Sequence, residues 1–267
     1  MIKKLSLIAV LVIIIGVIGI VVTYSLMNNK ITIDEKRLIK NEHITSIEID
    51  VDNTDVEFIS IPSSDEARVE LVGKGVDSIL NEFSVKDEGE TLAISLLPDN
   101  SKWFNFNLYV PTIKLKIYIP EKTYSNVNVN GSSSDVFWQS LKAESIGIST
   151  DSGDINVKKI NSEDVNLRTV SGDVTIENLQ GRIKTITDSG DVLITNNEIL
   201  DSINAKTGSG DINIRSKKEP TDVEFEVNTS SGDVNLFNKY QNNAKTGKGA
   251  ILIQLETNSG DISATKN

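Results

Sequence analysis

Apolar residues follow two patterns along this chain. From Leu5 to Leu26 they run without a charge (LSLIAVLVIIIGVIGIVVTYSL), and beyond that they alternate with polar residues in short stretches. The first pattern predicts a helix. Its 22 residues would rise about 33 Å, enough to cross a hydrocarbon core of about 30 Å. The run exceeds the roughly 7–15 residues of a signal-peptide core and ends in Tyr24, Ser25, Leu26 and Met27, not in small residues before a cleavage site. An uncleaved transmembrane helix is therefore expected. The second pattern predicts strands, among them Ile47/Ile49/Val51, Val56/Phe58, Val69/Leu71, Phe83/Val85, Leu92/Ile94/Leu96 and Ile113/Leu115/Ile117/Ile119. No second helix of note is expected, save a short turn between Asp77 and Phe83.

From residue 125 onward the alternation becomes a repeat. Ser-Gly-Asp occurs six times, with its glycines at Gly153, Gly172, Gly190, Gly210, Gly232 and Gly260, spaced 19, 18, 20, 22 and 28 residues apart. Val or Ile follows each tripeptide, and a degenerate copy, Ser133-Ser134-Asp135-Val136, lies 19 residues before the first. Alternating pairs such as Ile146/Ile148 and Val165/Leu167 precede the tripeptides, so one unit reads as strand, turn, strand. The glycine is expected to supply a positive φ, and the flanking Ser and Asp to hold the turn by hydrogen bonds. One such unit cannot bury its apolar face, but stacked units share a continuous core. The expected fold is all-β: a β-solenoid or rolled β-sheet of tandem repeats of about 19 residues, preceded by one transmembrane helix. The chain divides into a cytoplasmic tail and anchor (1–26), a stalk (27–43), a less regular β-rich part (44–124) and the repeat part (125–267), the last two forming one domain. The polar stretch Tyr240–Gly249 reads as a surface loop between coils, Asp52-Asn53-Thr54-Asp55-Val56 echoes the repeat weakly, and Phe137 and Trp138 are expected to fill the first coil.

Leu115-Lys-Ile-Tyr-Ile-Pro120, Tyr124, the Ser-Ser-Asp-Val copy, the tandem Ser-Gly-Asp units and Thr246-Gly247-Lys248-Gly249 together resemble a bacterial family. It is the domain of unknown function labelled "putative adhesin", which includes the LiaG-like membrane proteins. The resemblance covers residues 44–265. It implies an all-β repeat fold, an N-terminal anchor, and an association with the cell-envelope stress systems of Gram-positive bacteria. It carries over no catalytic residue.

Charge and composition narrow the function. The net charge is −11; residues 1–40 carry six basic and two acidic side chains, so the rest carries −15. So acidic a domain repels phosphates, which speaks against a nucleic-acid partner. With no cysteine in the chain, neither a disulfide nor a lipid attached at cysteine is available. Lys3 and Lys4 precede the apolar run, but Lys30, Lys36, Arg37 and Lys40 follow it, so charge bias does not set the orientation. Only four residues lead the span, and long domains translocate largely regardless of charge. The expected localisation is a single-pass protein of the cell membrane, with its N-terminus cytoplasmic and its C-terminal domain outside.

Candidate chemistry is sparse. Asp154, Asp173, Asp191, Asp211, Asp233 and Asp261 would stack about 5 Å apart in a solenoid, weak metal candidates at the level of an oxygen-seeking cation. The bland reading, solvated turn residues, is preferred. His43 is the single histidine and lies outside the repeats, so neither a catalytic triad nor a zinc site is expected. No cofactor is implied. Trp103, Phe104 and Phe106 form the densest aromatic group and are an interaction edge or cap filler. The expectation is a non-enzymatic scaffold or regulator in the cell-envelope stress response, with an envelope protein or wall component as partner. Surface adhesion or glycan binding is the alternative, and a glycan-cleaving enzyme the less favoured one.

Overall fold

The structure is a computed structural model that describes residues 2–28, 31–62, 64–98 and 112–267. Helix α1 spans Ile2–Asn28. Its side chains are described for residues 9–22, and all of these are exposed. No helix among the described residues is long and apolar enough to cross a membrane; the predicted run Leu5–Leu26 extends past the described side chains at both ends.

The strands follow in chain order: β1 (Ile31–Ile39), β2 (Ser46–Val51), β3 (Asp55–Ile61) and β4 (Ala67–Gly75), then the short helix α2 (Ser78–Glu82), then β5 (Phe83–Glu88), β6 (Thr91–Leu96), β7 (Thr112–Pro120) and β8 (Thr123–Asn130). The repeat part holds β9 (Val136–Ser149), β10 (Ile155–Arg168), β11 (Val174–Glu177), β12 (Gln180–Thr187), β13 (Val192–Asn196), β14 (Ile203–Ser209), β15 (Ile212–Ser216), β16 (Val223–Ser231), β17 (Val234–Leu236), β18 (Ala244–Lys245), β19 (Ile251–Ser259) and β20 (Ile262–Lys266). The helix α2 falls where a short turn was expected.

Hydrogen bonding winds these strands into two parallel ladders that face one another. The first ladder runs β6, β2, β8, the second half of β9, the second half of β10, β12, β14, β19, β16. The second runs β7, β3, the first half of β9, the first half of β10, β11, β13, β15, β20, β17. Each coil is one strand from each ladder, joined at the Ser-Gly-Asp corner. Inward positions alternate with outward ones because successive side chains of a strand point to opposite faces. The first ladder buries Ile47, Val127, Ile146, Val165, Ile183, Ile203, Ile253 and Phe225, and the second buries Val56, Val136, Ile155, Val174, Val192, Ile212 and Ile262. Alternation also separates two neighbours expected to fill the coil together. Trp138 is buried and stacks on Phe58 with ring centroids 4.1 Å apart, whereas Phe137 points outward and is exposed.

Four expectations need correction. Residues 31–39, assigned to a stalk, form β1, which pairs antiparallel with β4 from Ile31↔Gly75 to Ile39↔Ala67 and buries Ile33 and Ile39. The weak echo at Asp52–Val56 is a full coil corner, since β2 and β3 stack directly beneath the β8–β9 coil. Coil order is not chain order either. The last strand pair, β19–β20, lies between β14–β15 and β16–β17. Tyr240–Gly249 is therefore the return path that lets the chain step inward by one layer. In that path Gly247 and Gly249 take φ of +60° and +73°, and the carboxylate of Asp222 accepts the amides of Lys248 and Ala250. Those bonds, Ala250's first, hold the Asp222 carboxyl below its usual range.

The fourth correction concerns glycine. Of the six repeat glycines Gly232 alone has positive φ (156°), whereas Gly153, Gly172, Gly190, Gly210 and Gly260 do not. They are required because the coils stack too closely at the corner for a side chain. A Cβ on Gly172 would lie 2.0 Å from the carbonyl oxygen of Gly153, and one on Gly190 would lie 2.0 Å from that of Gly172. Positive φ occurs at the opposite bend instead, at Ser140, Lys159 and Asn178 (φ 63°, 54° and 53°). Each is followed by a buried aliphatic residue, Leu141, Ile160 or Leu179. A left-handed residue there costs about 1–2 kcal/mol, and burial of that next side chain, about 1.5–3 kcal/mol, offsets it.

Two outcomes are predicted. Gly172→Ala should destabilise the fold by about 3 kcal/mol through forced separation of two coils, read as a lower denaturant midpoint; an unchanged midpoint would refute the steric role. Tyr124 is buried and donates its hydroxyl to the Pro120 carbonyl at 3.1 Å, and burial pushes its phenol well above the usual value. Above about pH 10 the unfolded chain loses this proton while the folded chain keeps it, so stability should fall as pH rises. Tyr124→Phe should flatten that alkaline limb in pH-dependent chemical denaturation.

Candidate functional site

The repeat residues converge on one edge of the solenoid, where three columns run side by side along the stack. The first is the aspartate column, which joins Asp55, Asp135, Asp154, Asp173, Asp191, Asp211, Asp261 and Asp233 in spatial order. Each backbone amide donates to the Oδ1 of the preceding Asp, at 3.4 Å for Asp135 to Asp55 and at 2.8–2.9 Å for the other steps. In return, the residue after each Asp donates its amide to the next Asp's carbonyl, as Val174 does to Asp191 at 2.9 Å and Val192 to Asp211 at 2.9 Å.

Eight carboxylates in a row invite a cation, but all except the last, Asp233, give one oxygen to the neighbouring coil. Like charges about 5 Å apart repel by about 0.8 kcal/mol in bulk water, less with salt. A hydrogen bond contributes about 1 kcal/mol, so the column holds without a counter-ion. Among the described residues no group of three or more His, Cys, Asp or Glu side chains is placed to hold a metal ion. The six candidate aspartates stand in one column, and five of them accept a backbone amide, whereas Asp233 ends the column.

The second column is the glycine backbone, which lets the carbonyls approach. The third column lies behind it and was missed in the sequence. A threonine stands three residues before every repeat glycine: Thr150, Thr169, Thr187, Thr207, Thr229 and Thr257. Each points inward and donates its hydroxyl to a corner carbonyl of the adjacent coil: Thr169 to Gly153 at 3.0 Å, Thr187 to Gly172 at 3.0 Å, Thr207 to Gly190 at 2.9 Å, Thr257 to Gly210 at 3.0 Å and Thr229 to Gly260 at 3.0 Å. Thr150 reaches the carbonyls of Ser132 and Ser134, each at 3.2 Å. Aligning the copies on their glycines would have exposed this column, since the true repeat is Thr-x-Ser-Gly-Asp-[Val/Ile]. At the degenerate copy Ser134 fills the glycine position, and its hydroxyl donates to the Asp52 carbonyl at 2.9 Å.

The outward faces carry the remaining polar chemistry. On the first ladder, Asp164 and Arg182 pair through two bonds of 2.7 Å, which hold the Asp164 carboxyl below its usual range. Lys206 pairs with Glu256 at 2.9 Å. A shallow groove of about 350 Å³ crosses the same face over Gly147, walled by Asn128, Asn166, Arg168 and Lys184. His43 is exposed beside Asn41, far in sequence from the repeat corners. Trp103, Phe104 and Phe106 lie outside the described residues.

The geometry is that of a two-sided parallel β-solenoid whose corners are locked by stacked Thr, Gly and Asp. The chain belongs to the Toastrack DUF4097 family, whose model matches residues 44–182 and again residues 125–265. No curated protein sequence matches it. Among solved structures it is similar to a "putative adhesin" from Bacteroides fragilis (17% identity, 86% of this chain and 96% of that one, TM-score 0.47). It is also similar to a "putative cell adhesion protein" from Clostridium sporogenes (15%, 89% and 100%, TM-score 0.40). A "putative lipid binding protein" from Parabacteroides distasonis matches at 18%, over 90% and 98%, with a TM-score of 0.44. None of the three is similar enough to bear on what this chain binds.

The threonine column makes a prediction of opposite signs two residues apart. Thr187→Val should cost about 1–2 kcal/mol, because the Gly172 carbonyl loses its donor in a buried setting. Thr185 is buried with an unpartnered hydroxyl, so Thr185→Val should stabilise by about 1 kcal/mol. Equilibrium denaturation of both variants checks this; equal signs would refute the assigned roles.

Proposed function

We propose that this chain is a membrane-anchored, extracytoplasmic binding scaffold that acts without turnover in the cell-envelope stress response. The observation that carries the reading is the two-faced solenoid with its bonded corners, and the anchor is read from the uncharged apolar run Leu5–Leu26 that precedes it in the sequence. Along α1, Val10 to Val22 present side chains from 50% to 70% exposed at their large apolar positions. A continuous apolar surface of that kind calls for an apolar surrounding such as a lipid bilayer. On this reading the solenoid lies outside the cytoplasm, as long domains translocate largely regardless of charge. In the solenoid, corner hydrogen bonds at every step fix the outward side chains at the interstrand spacing of about 4.8 Å. Rigid repeat surfaces of this type suit recognition of an extended partner.

Crosslinking in intact cells with the full anchored chain as bait tests the reading. The expected result is reproducible capture of a membrane sensor or wall-synthesis protein. Capture of wall glycan fragments alone would move the reading to the adhesive or glycan-binding alternative. Recovery of the chain alone, under conditions that capture partners of other envelope baits, would overturn it.

A further inference from the structure

The two ends of the solenoid are finished differently. At the end holding β7, the antiparallel strands β4 and β1 extend the ladder and cover it. At the other end, β16 meets β18 only at Glu224 and Phe225, and β17 meets only β20 and a single bridge from Leu236 to Tyr240. Between β17 and β18 the chain folds back beside this last corner, and the two enclose a cavity of about 870 Å³. That size is within the range of small-molecule sites, about 300–1,000 Å³, but the lining is unlike the mostly apolar wall of such sites.

Carboxamides dominate it. Asn228, Asn238, Gln241 and Asn242 line the cavity together with Tyr240 and Asp233. The side chains of Asn228, Gln241 and Asn242 are exposed and hold no hydrogen bond among the described residues. Asp233 is the last rung of the aspartate column: its amide donates to Asp261 at 2.8 Å, and no further coil supplies an amide to its own carboxylate. The one cation in the wall, Lys239, is already paired with Glu219.

This chemistry selects among ligand classes. A carboxamide donates and accepts at once, which matches a hydroxyl. The free Asp233 carboxylate disfavours anions and accepts hydroxyl protons, and Tyr240 adds an amphipathic ring. Addition of a peptide strand is the competing use of a sheet edge, but an outward amide on each side of the corner is already taken by the chain itself. Val227 donates to Asn243 Oδ1 at 2.7 Å, and Leu236 to the Tyr240 carbonyl at 2.9 Å. The geometry points to a neutral oligosaccharide as the ligand of this cavity, held by Asn228, Gln241, Asn242 and Asp233. The inference rests on the reading of the chain as an envelope-binding protein and names the ligand class of one site on it.

The test uses the full chain in lipid nanodiscs and isothermal titration with three probes: cellohexaose, chitohexaose and a hexapeptide of alternating Thr and Val. At least one hexasaccharide should bind. The combined variant Asn228→Ala, Gln241→Ala, Asn242→Ala should weaken it at least tenfold while its circular dichroism stays unchanged, as expected for exposed side chains. Asn166→Ala, in the groove over Gly147, should bind as the parent does. Failure of both sugars to bind, undiminished binding by the triple variant, or binding of the peptide in their place would each overturn the assignment. Such a failure alongside capture of a protein partner in cells would remove this site and leave the scaffold reading standing.

Discussion

Everything in this molecule depends on how closely two polypeptide backbones can approach at the Ser-Gly-Asp corner. Parallel strands sit about 4.8 Å apart, and the chain must hold that spacing while it turns from one face to the other. A side chain at Gly172 or Gly190 would strike the carbonyl of the coil below at 2.0 Å. With glycine there, the carbonyls stay accessible, and the threonine hydroxyl behind each corner reaches one of them. The aspartate in front accepts the amide that the turn would otherwise leave unpaired. The aspartate amides and glycine carbonyls of successive corners are thus paired around the bend, and the two faces keep a common register.

That continuity links the fold to its use. Because each corner is bonded to the next, the outward residues form fixed columns. The ends are the exceptions. One is covered by antiparallel strands, whereas the other is left with a short strand, a folded-back loop and a carboxylate with no further rung. A solenoid that stops in this way leaves polar groups convergent but unpaired, and such groups are available to a ligand at little cost in stability.

Regularity also explains where a sequence reading succeeds. The period-2 alternation determined which side chains face inward, as at Ile146, Ile148, Val165 and Leu167, because only one face of each strand can be dry. The spacing of Ser-Gly-Asp determined the coil length, and the aspartates fell into one column as that spacing required. Trp138 fills the coil as expected, whereas Phe137 does not, because the alternation sends two adjacent residues to opposite faces. The threonine column was written plainly in the chain, yet a β-branched residue in a strand reads as strand propensity until its distance from the glycine is noticed.

What the sequence determined by itself was therefore local and periodic: an apolar run at the N-terminus, strands with one buried face, a repeat whose units must stack, and membership of one family's pattern. What only the tertiary structure decided was order and cause. Coils with nearly identical inward residues are interchangeable neighbours, so nothing local could reveal that β19–β20 slips between β14–β15 and β16–β17, or that Ile31–Ile39 pairs with a strand across the cap. Nor could a glycine announce whether it serves a torsion angle or a close contact. Here the contact alone decided five of the six corner glycines, and left-handed torsions went to Ser140, Lys159 and Asn178. The physical reason is the same in each case: a chain records what each residue prefers, whereas which backbone lies 4.8 Å away is settled only when the coils are stacked.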